Sequence, residues 1–196
     1  MRYVYLCVLC LIFLSSTFAQ QQRFAVRAGA TYGLMNFNKG VPAPVTKAPN
    51  TWKTGYEISF LMRVPLIDRL SLVPEYGYTR ANGTDARIKT DYRFDYLNLP
   101  VLLHADLTPW LALNAGPKFD LLIHSTQKIN GLTTNITHDT EERNISGVIG
   151  AELKIAGSLF FDMRYVHGYN HIGLGQRSST IEFKWQTFSL AAKFAF

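Results

Sequence analysis

Beyond a leading apolar segment, hydrophobic and polar positions alternate along the chain with a period of two. In 23–35, Phe24, Val26, Ala28, Ala30, Tyr32 and Leu34 share one face, and Ala25, Arg27, Gly29, Thr31 and Gly33 share the other. Tyr56, Ile58, Phe60, Met62 and Val64 stand against Glu57, Ser59, Leu61 and Arg63, and Leu70, Leu72, Tyr76 and Tyr78 stand against Ser71, Glu75, Gly77 and Thr79. The same alternation sets Leu113, Ala115, Phe119 and Leu121 against Asn114, Gly116, Lys118 and Asp120. Further on it sets Ile149, Ala151, Leu153 and Ile155 against Gly150, Glu152 and Lys154, and Phe161, Met163 and Tyr165 against Asp162 and Arg164. The closing stretch places Phe188, Leu190, Phe194 and Phe196 opposite Ser189 and Lys193. Strict alternation is the signature of strands with one apolar face. The stretch 91–105 is strand-like but ambiguous in facing, and its Pro100 predicts a bulge or kink.

Eight such strands are expected, each near the ~9–11 residues that cross a bilayer obliquely. The connections alternate as well. Long segments (35–53, 80–89, 124–144 and 167–182) take turns with tight ones at 65–69, 106–109 and 156–157. Short turns on one side and long loops on the other are the asymmetry of outer-membrane barrels, and an even strand number returns both ends to the periplasmic side. The pattern predicts an all-β, eight-stranded antiparallel up-and-down transmembrane β-barrel of the OmpA/OmpX kind.

Which face is outside is decided by content. The polar faces carry Arg27, Glu57, Arg63, Glu75, Lys118, Asp120, Glu152, Lys154, Asp162, Arg164 and Lys193, nearly balanced in sign and interspersed with Gly, Ala and Ser. Eight strands leave an interior that side chains just fill. Small residues plus paired charges suit such an interior, because an unpaired buried charge is costly. These eleven residues are expected to form an ionic network in the lumen. Phe188, Leu190, Phe194 and Phe196 are expected to face lipid, with Tyr32, Tyr56, Tyr76 and Tyr78 as an aromatic girdle at the long-loop side and Trp110 near a short turn. A soluble lipocalin-like barrel is the competing arrangement, with its faces inverted.

Composition fits an exported chain. Residues 1–19 have one early cation, Arg2, an apolar run from Tyr3 to Leu14, then small residues to Ala19, the layout of a cleaved signal peptide. The expected organisation is signal peptide 1–19 and barrel domain 20–196. Both cysteines, Cys7 and Cys10, lie in the leader, so the barrel needs no disulfide and offers no thiol chemistry. A formal charge of +6 suits an anionic membrane surface more than nucleic acid in an exported protein.

The segment Tyr96-Leu97-Asn98-Leu99-Pro100-Val101-Leu102-Leu103 resembles the central stretch of the PorT-like outer-membrane β-barrel family of Bacteroidetes-type bacteria. Gln20–Gln22 after the cleavage point, Arg164-Tyr165, the Gly168–Ile172 segment and the aromatic closing strand fit the same resemblance. It implies an outer-membrane location and no catalytic set. Its namesake assists protein secretion, a role that no residue here marks. The terminal Phe196 resembles the C-terminal aromatic signature shown to barrel-assembly machinery.

No constellation advertises chemistry. His104 lies near a short turn, and His124, His138, His167 and His171 lie in or beside long loops, expected to be solvated. His167 and His171 lack the helical context of a ligand pair. Lipid A deacylases, which have a Ser and Asn close after the His, are not matched at Tyr169–Gly173, and Ser178 and Ser179 lie farther on. Asp139, Glu141 and Glu142 are expected in a solvated loop, and the sequons at Asn82, Asn135 and Asn144 are coincidental. No catalytic residue, metal or cofactor is expected. The expected function is a monomeric outer-membrane barrel with a polar, largely closed lumen and a structural or surface-binding role through its external loops. A secretion accessory or a narrow channel is the alternative. Expected partners are outer-membrane lipids and lipopolysaccharide, the assembly machinery, and proteins at the loops. Lys39, Lys47, Arg80, Arg87, Lys89, Arg93 and Arg177 are candidates for anionic sugars or phosphates.

Overall fold

The structure, a computed structural model, describes residues 23–40, 47, 49–175 and 181–196. The segment 1–19 expected as a signal peptide, Gln20–Gln22, Arg177, Ser178 and Ser179 lie outside the described residues. In chain order the strands are β1 (Arg23–Asn36), β2 (Trp52–Ile67), β3 (Leu70–Asp85), β4 (Thr90–Asp106), β5 (Leu111–Ile129), β6 (Leu132–Asn135), β7 (Arg143–Ala156), β8 (Leu159–Gly168), β9 (Ile172–Leu174) and β10 (Ile181–Ala195). Eight of them pair with their neighbours in sequence order, and β10 returns to pair with β1. Closure satisfies every edge within the sheet, the condition for crossing lipid with strands. The short β6 and β9 lie off this ring, on β5 and β10. Among the described residues no helix is long and apolar enough to cross a membrane.

The alternation fixes the faces. Val26, Tyr32, Ile58, Phe60, Leu103, Leu113, Ile149 and Leu190 are exposed on the outer wall, while Arg27, Thr31, Ser59, Glu75, Asn114 and Ser189 are buried inside. Leu34, expected with the outer set, is buried near the top of β1. The inward glycines make room for larger neighbours. A Cβ on Gly29 would overlap the Leu190 carbonyl and Ala191, and one on Gly83 would occupy the place of the Met35 sulfur.

Two expectations are corrected. Pro100 causes no shift: β4 pairs with β5 at Pro100–Lys118 and Leu103–Ala115 in one register, and the irregularity lies at Asp95/Tyr96. An inward proline can be carried where ladder hydrogen bonds are sparse. Second, much of the expected long-loop sequence is strand. β3 and β4 run on to Asp85 and Thr90, with only 86–89 between them, and β5 extends over 19 residues to Ile129. These extensions stand in water, so their outer faces are polar and the apolar alternation that marks the lower strands is lost. Asn130 (φ 49°) and Gly131 (φ 88°) form the tight β5–β6 turn, a dipeptide that signals a hairpin.

Candidate functional site

The lumen is filled in three layers. At mid-height, Arg27 on β1 donates from Nε to Asp162 Oδ1 at 2.7 Å, from Nη1 to Glu57 Oε1 at 2.6 Å, and from Nη2 to Ser189 Oγ. Arg164 on β8 grips Glu75 on β3 with both terminal nitrogens, at 2.9 and 2.8 Å, and its Nε lies 2.8 Å from Asp162 Oδ1. Asp162 therefore stands between two guanidiniums and is fully buried. Lys118 pairs with Asp120 at 3.1 Å, and Lys193 donates to Glu152. Three carboxylates share the two central guanidiniums, and Lys118 lines the same small cavity, so the charge is close to balanced. Bidentate and charge-assisted bonds of this kind are the strong ones in a dry interior.

Above this web the lumen is aromatic, a feature that period-two alternation alone does not reveal. Tyr92, Phe94 and Tyr96 on β4 point inward and stack in succession. Trp185 meets Phe94 and Phe183 edge-on, with centroids 5.5 and 5.2 Å away, and its Nε1 donates to the Tyr96 hydroxyl at 3.3 Å. Met35, Phe37, Ile136, Ile172 and Leu174 complete this plug. Between plug and web a cavity of about 30 Å³ touches Glu57, Lys118, Asp120 and Asn144, room for only a water or two. The lumen is therefore not polar throughout, as expected, but capped by a hydrophobic layer.

Below the web lie Ala25, Leu61, Val73 and Leu102, with His104 buried beside them. His104 Nδ1 is 2.6 Å from Asn114 Oδ1, and its Nε2 is 3.2 Å from Asp106 Oδ1. The expectation that His104 is a solvated residue is corrected: it occupies an inward position at the end of β4. Arg63 also lies at this short-turn end, bonded to Ser71 and Asp106 rather than to the central web. Lys154 does not join the network. It is exposed, and among the described residues its Nζ has no ion-pair partner, because β7 has passed the floor of the lumen and turns at 156–157.

On the outer wall, Phe188, Leu190, Phe194 and Phe196 are 50–66 % exposed. Tyr32 stacks on Trp52, Trp52 meets Phe188, and Phe188 meets Tyr165, giving an aromatic band toward the long-strand end of the barrel. Tyr76 lies lower, opposite Phe60, and Trp110 is exposed at its short turn. His167 faces outward between Tyr165 and Tyr169, and His171 Nε2 bonds to the Lys39 carbonyl. Asn144 is buried and donates to Asp120.

A polar row crosses the outer wall above the apolar band. Thr54, Asn82, Arg93, Thr126 and Lys128 line a groove together with Asp91 and Lys53. Lys53 Nζ is 3.2 Å from Asp91 Oδ1. The Thr84 hydroxyl and then Lys53 and Lys128 outweigh burial and hold the Asp91 carboxyl below its ordinary value. Directly beneath, Arg80 makes a two-point contact with Asp95, which also accepts from the Tyr78 hydroxyl. Arg80 and Arg93, expected in loops, are thus strand residues.

Strands apolar on the outside, closed around a filled and ion-paired interior, define an integral outer-membrane barrel. The chain belongs to the outer membrane protein beta-barrel domain family, whose model matches residues 18–173, and it resides in the outer membrane. Solved structures share the fold at low identity. Neisserial surface protein A is 11 % identical with a TM-score of 0.57, covering 90 % of this chain and 100 % of that one. The Yersinia pestis attachment invasion locus protein, Ail, is 12 % identical at 0.51 with the same coverage. A major outer membrane protein of Thermus thermophilus is 11 % identical at 0.50, again with the same coverage. No curated protein matches the chain significantly.

Proposed function

We propose that this protein is a closed, monomeric membrane anchor that works through its extracellular strand extensions and outer wall rather than through its lumen. The observation that carries this reading is the stacking of plug, ionic web and periplasmic floor in one narrow bore. A solute would have to displace Phe94 and Trp185 and then separate Arg27 from Asp162. We read no catalytic step into the molecule. Its partners on this reading are the surrounding lipids and lipopolysaccharide, the assembly machinery that inserts it, and proteins meeting the extracellular end. The test is conductance of the full chain in planar lipid bilayers. No unitary steps are expected, and steady stepwise conductance would overturn the reading in favour of a narrow channel.

The PorT-like assignment remains a proposal. It rests on Tyr96–Leu103, whose inward members Tyr96 and Leu102 pack in the two apolar layers and whose outward members Leu99, Val101 and Leu103 are exposed. The stretch thus serves the barrel wall, and a secretion-accessory role would be supported by stable partners in a mild crosslinking pull-down from intact cells.

A further inference from the structure

We infer that the outer-wall groove across β2–β5 is a binding site for the phosphorylated saccharide head of an outer-leaflet glycolipid. The inference deepens the anchor-and-surface reading and rests on it. Arg93 and Lys128 converge on the groove from outward positions, and Lys53 reaches it from the inward face of β2 to pair with its one carboxylate, Asp91. The side chain of Arg93 has no partner among the described residues, although it is an exposed strand position beside Asn82 on one side and Thr126 on the other. The nearby acids are taken: Asp95 by Arg80 and Tyr78, and Asp85 by Arg87. The groove therefore has excess positive charge, with Thr and Asn side chains that suit sugar hydroxyls.

Its height selects a lipid. Down the same outer faces, Arg93 gives way to Leu97, Leu99, Val101 and Leu103, and Thr126 gives way to Ile123, Leu121 and Phe119. At about 3.3 Å per residue and about 45° of tilt, Arg93 stands about 9 Å above Leu97. That is the head-group level, directly over an apolar wall for acyl chains. Anionic head above and hydrocarbon below match a phosphorylated glycolipid, whereas a free phosphate would use only the upper half.

The test uses the folded full chain in detergent micelles, with bis-phosphorylated lipid A as probe and bound copies read by native mass spectrometry. The expected result is a retained copy on the native chain, at least about tenfold weaker binding for R93E/K128E, and unchanged binding for R69E/K154E, which makes the same charge change at the opposite, short-turn end of the barrel. Folding of each variant is checked by its gel shift on boiling, and R93Q/K128Q replaces the double glutamate if that variant fails the check. Equal losses in both pairs, or none in either, would overturn the site. A deacylated phosphorylated disaccharide is expected not to displace the lipid at equal concentration, and displacement would overturn the glycolipid assignment. Channel conductance would overturn the parent reading without touching this result, and lost glycolipid binding would leave a silent bilayer silent.

Discussion

Arg27 on β1 and Asp162 on β8 are joined at 2.7 Å although 135 residues separate them and β10 lies between their strands. The pair is almost wholly withdrawn from solvent. Replacing Asp162 by alanine leaves Arg27 and Arg164 facing each other without the shared anion. The expected loss is about 3–5 kcal/mol, the cost of orphaning a buried charge, read as a lower urea midpoint for unfolding in detergent. Glu57→Gln keeps a hydrogen-bond acceptor at a less buried position and is expected to cost less.

The plug and the web block the bore independently. Phe94→Ala/Trp185→Ala is expected to destabilise the barrel by about 3–5 kcal/mol per ring and still to show no conductance in planar bilayers, because the charged layer beneath stays closed. Conductance in that variant would make the plug the sole barrier.

Gly29 and Gly131 separate two kinds of glycine need. Gly29→Val pushes a side chain into the Leu190 carbonyl and Ala191 across the β1–β10 seam, so the heat-modifiable band is expected to be largely lost. Gly131→Ala meets nothing within 4 Å, and its only difficulty is φ 88°. It is expected to cost about 1–2 kcal/mol, confined to the β5–β6 hairpin and visible as faster local hydrogen exchange.

Leu190 lies in the middle of the lipid-facing wall of β10, opposite Ala30 and Met163. Leu190→Lys is expected to cost about 2–4 kcal/mol, the penalty of a cation near the bilayer midplane, measured by equilibrium folding into vesicles. Ser189→Ala, one residue away but inside, instead removes an acceptor for Arg27.

Asp91 titrates in water, above the apolar band. Its folded value is lowered, so the stability it adds is present above the unfolded value and lost as pH falls through the folded one. The group is exposed and the effect correspondingly small. Carboxyl NMR titration is expected to show an upward shift in Thr84→Val, since the Thr84 hydroxyl is the largest contribution to the lowering.

The ring of eight strands and the residues of the ionic web are legible in the sequence because charges alternating with Gly, Ala and Ser have few settings other than a narrow, ion-paired bore. The aromatic plug is not. Tyr92, Phe94 and Tyr96 alternate with Arg93 and Asp95, the same pattern as a lipid-facing strand, and period two assigns faces without saying which is inside. Above the membrane both sides of the wall change solvent: the outside turns polar and the inside apolar, so the rule that holds lower down inverts. Lys154 falls outside the network for a related reason, since parity continues along β7 after the lumen has ended. The hairpin at Asn130–Gly131 carries a usable dipeptide signal, but its flanks are polar on the outer face and so resemble loop.

The salt links run across the bore, Arg164 to Glu75 from β8 to β3 and Arg27 to Asp162 over the intervening β10. They act like spokes where the hydrogen-bonded wall acts like a hoop. A hoop alone can flatten to an ellipse without breaking a single rung, but spokes of fixed length hold its section round. Lateral pressure from the bilayer on one side is thereby handed to the far wall, and a strand pulled from the rim by force would yield in one large event rather than rung by rung.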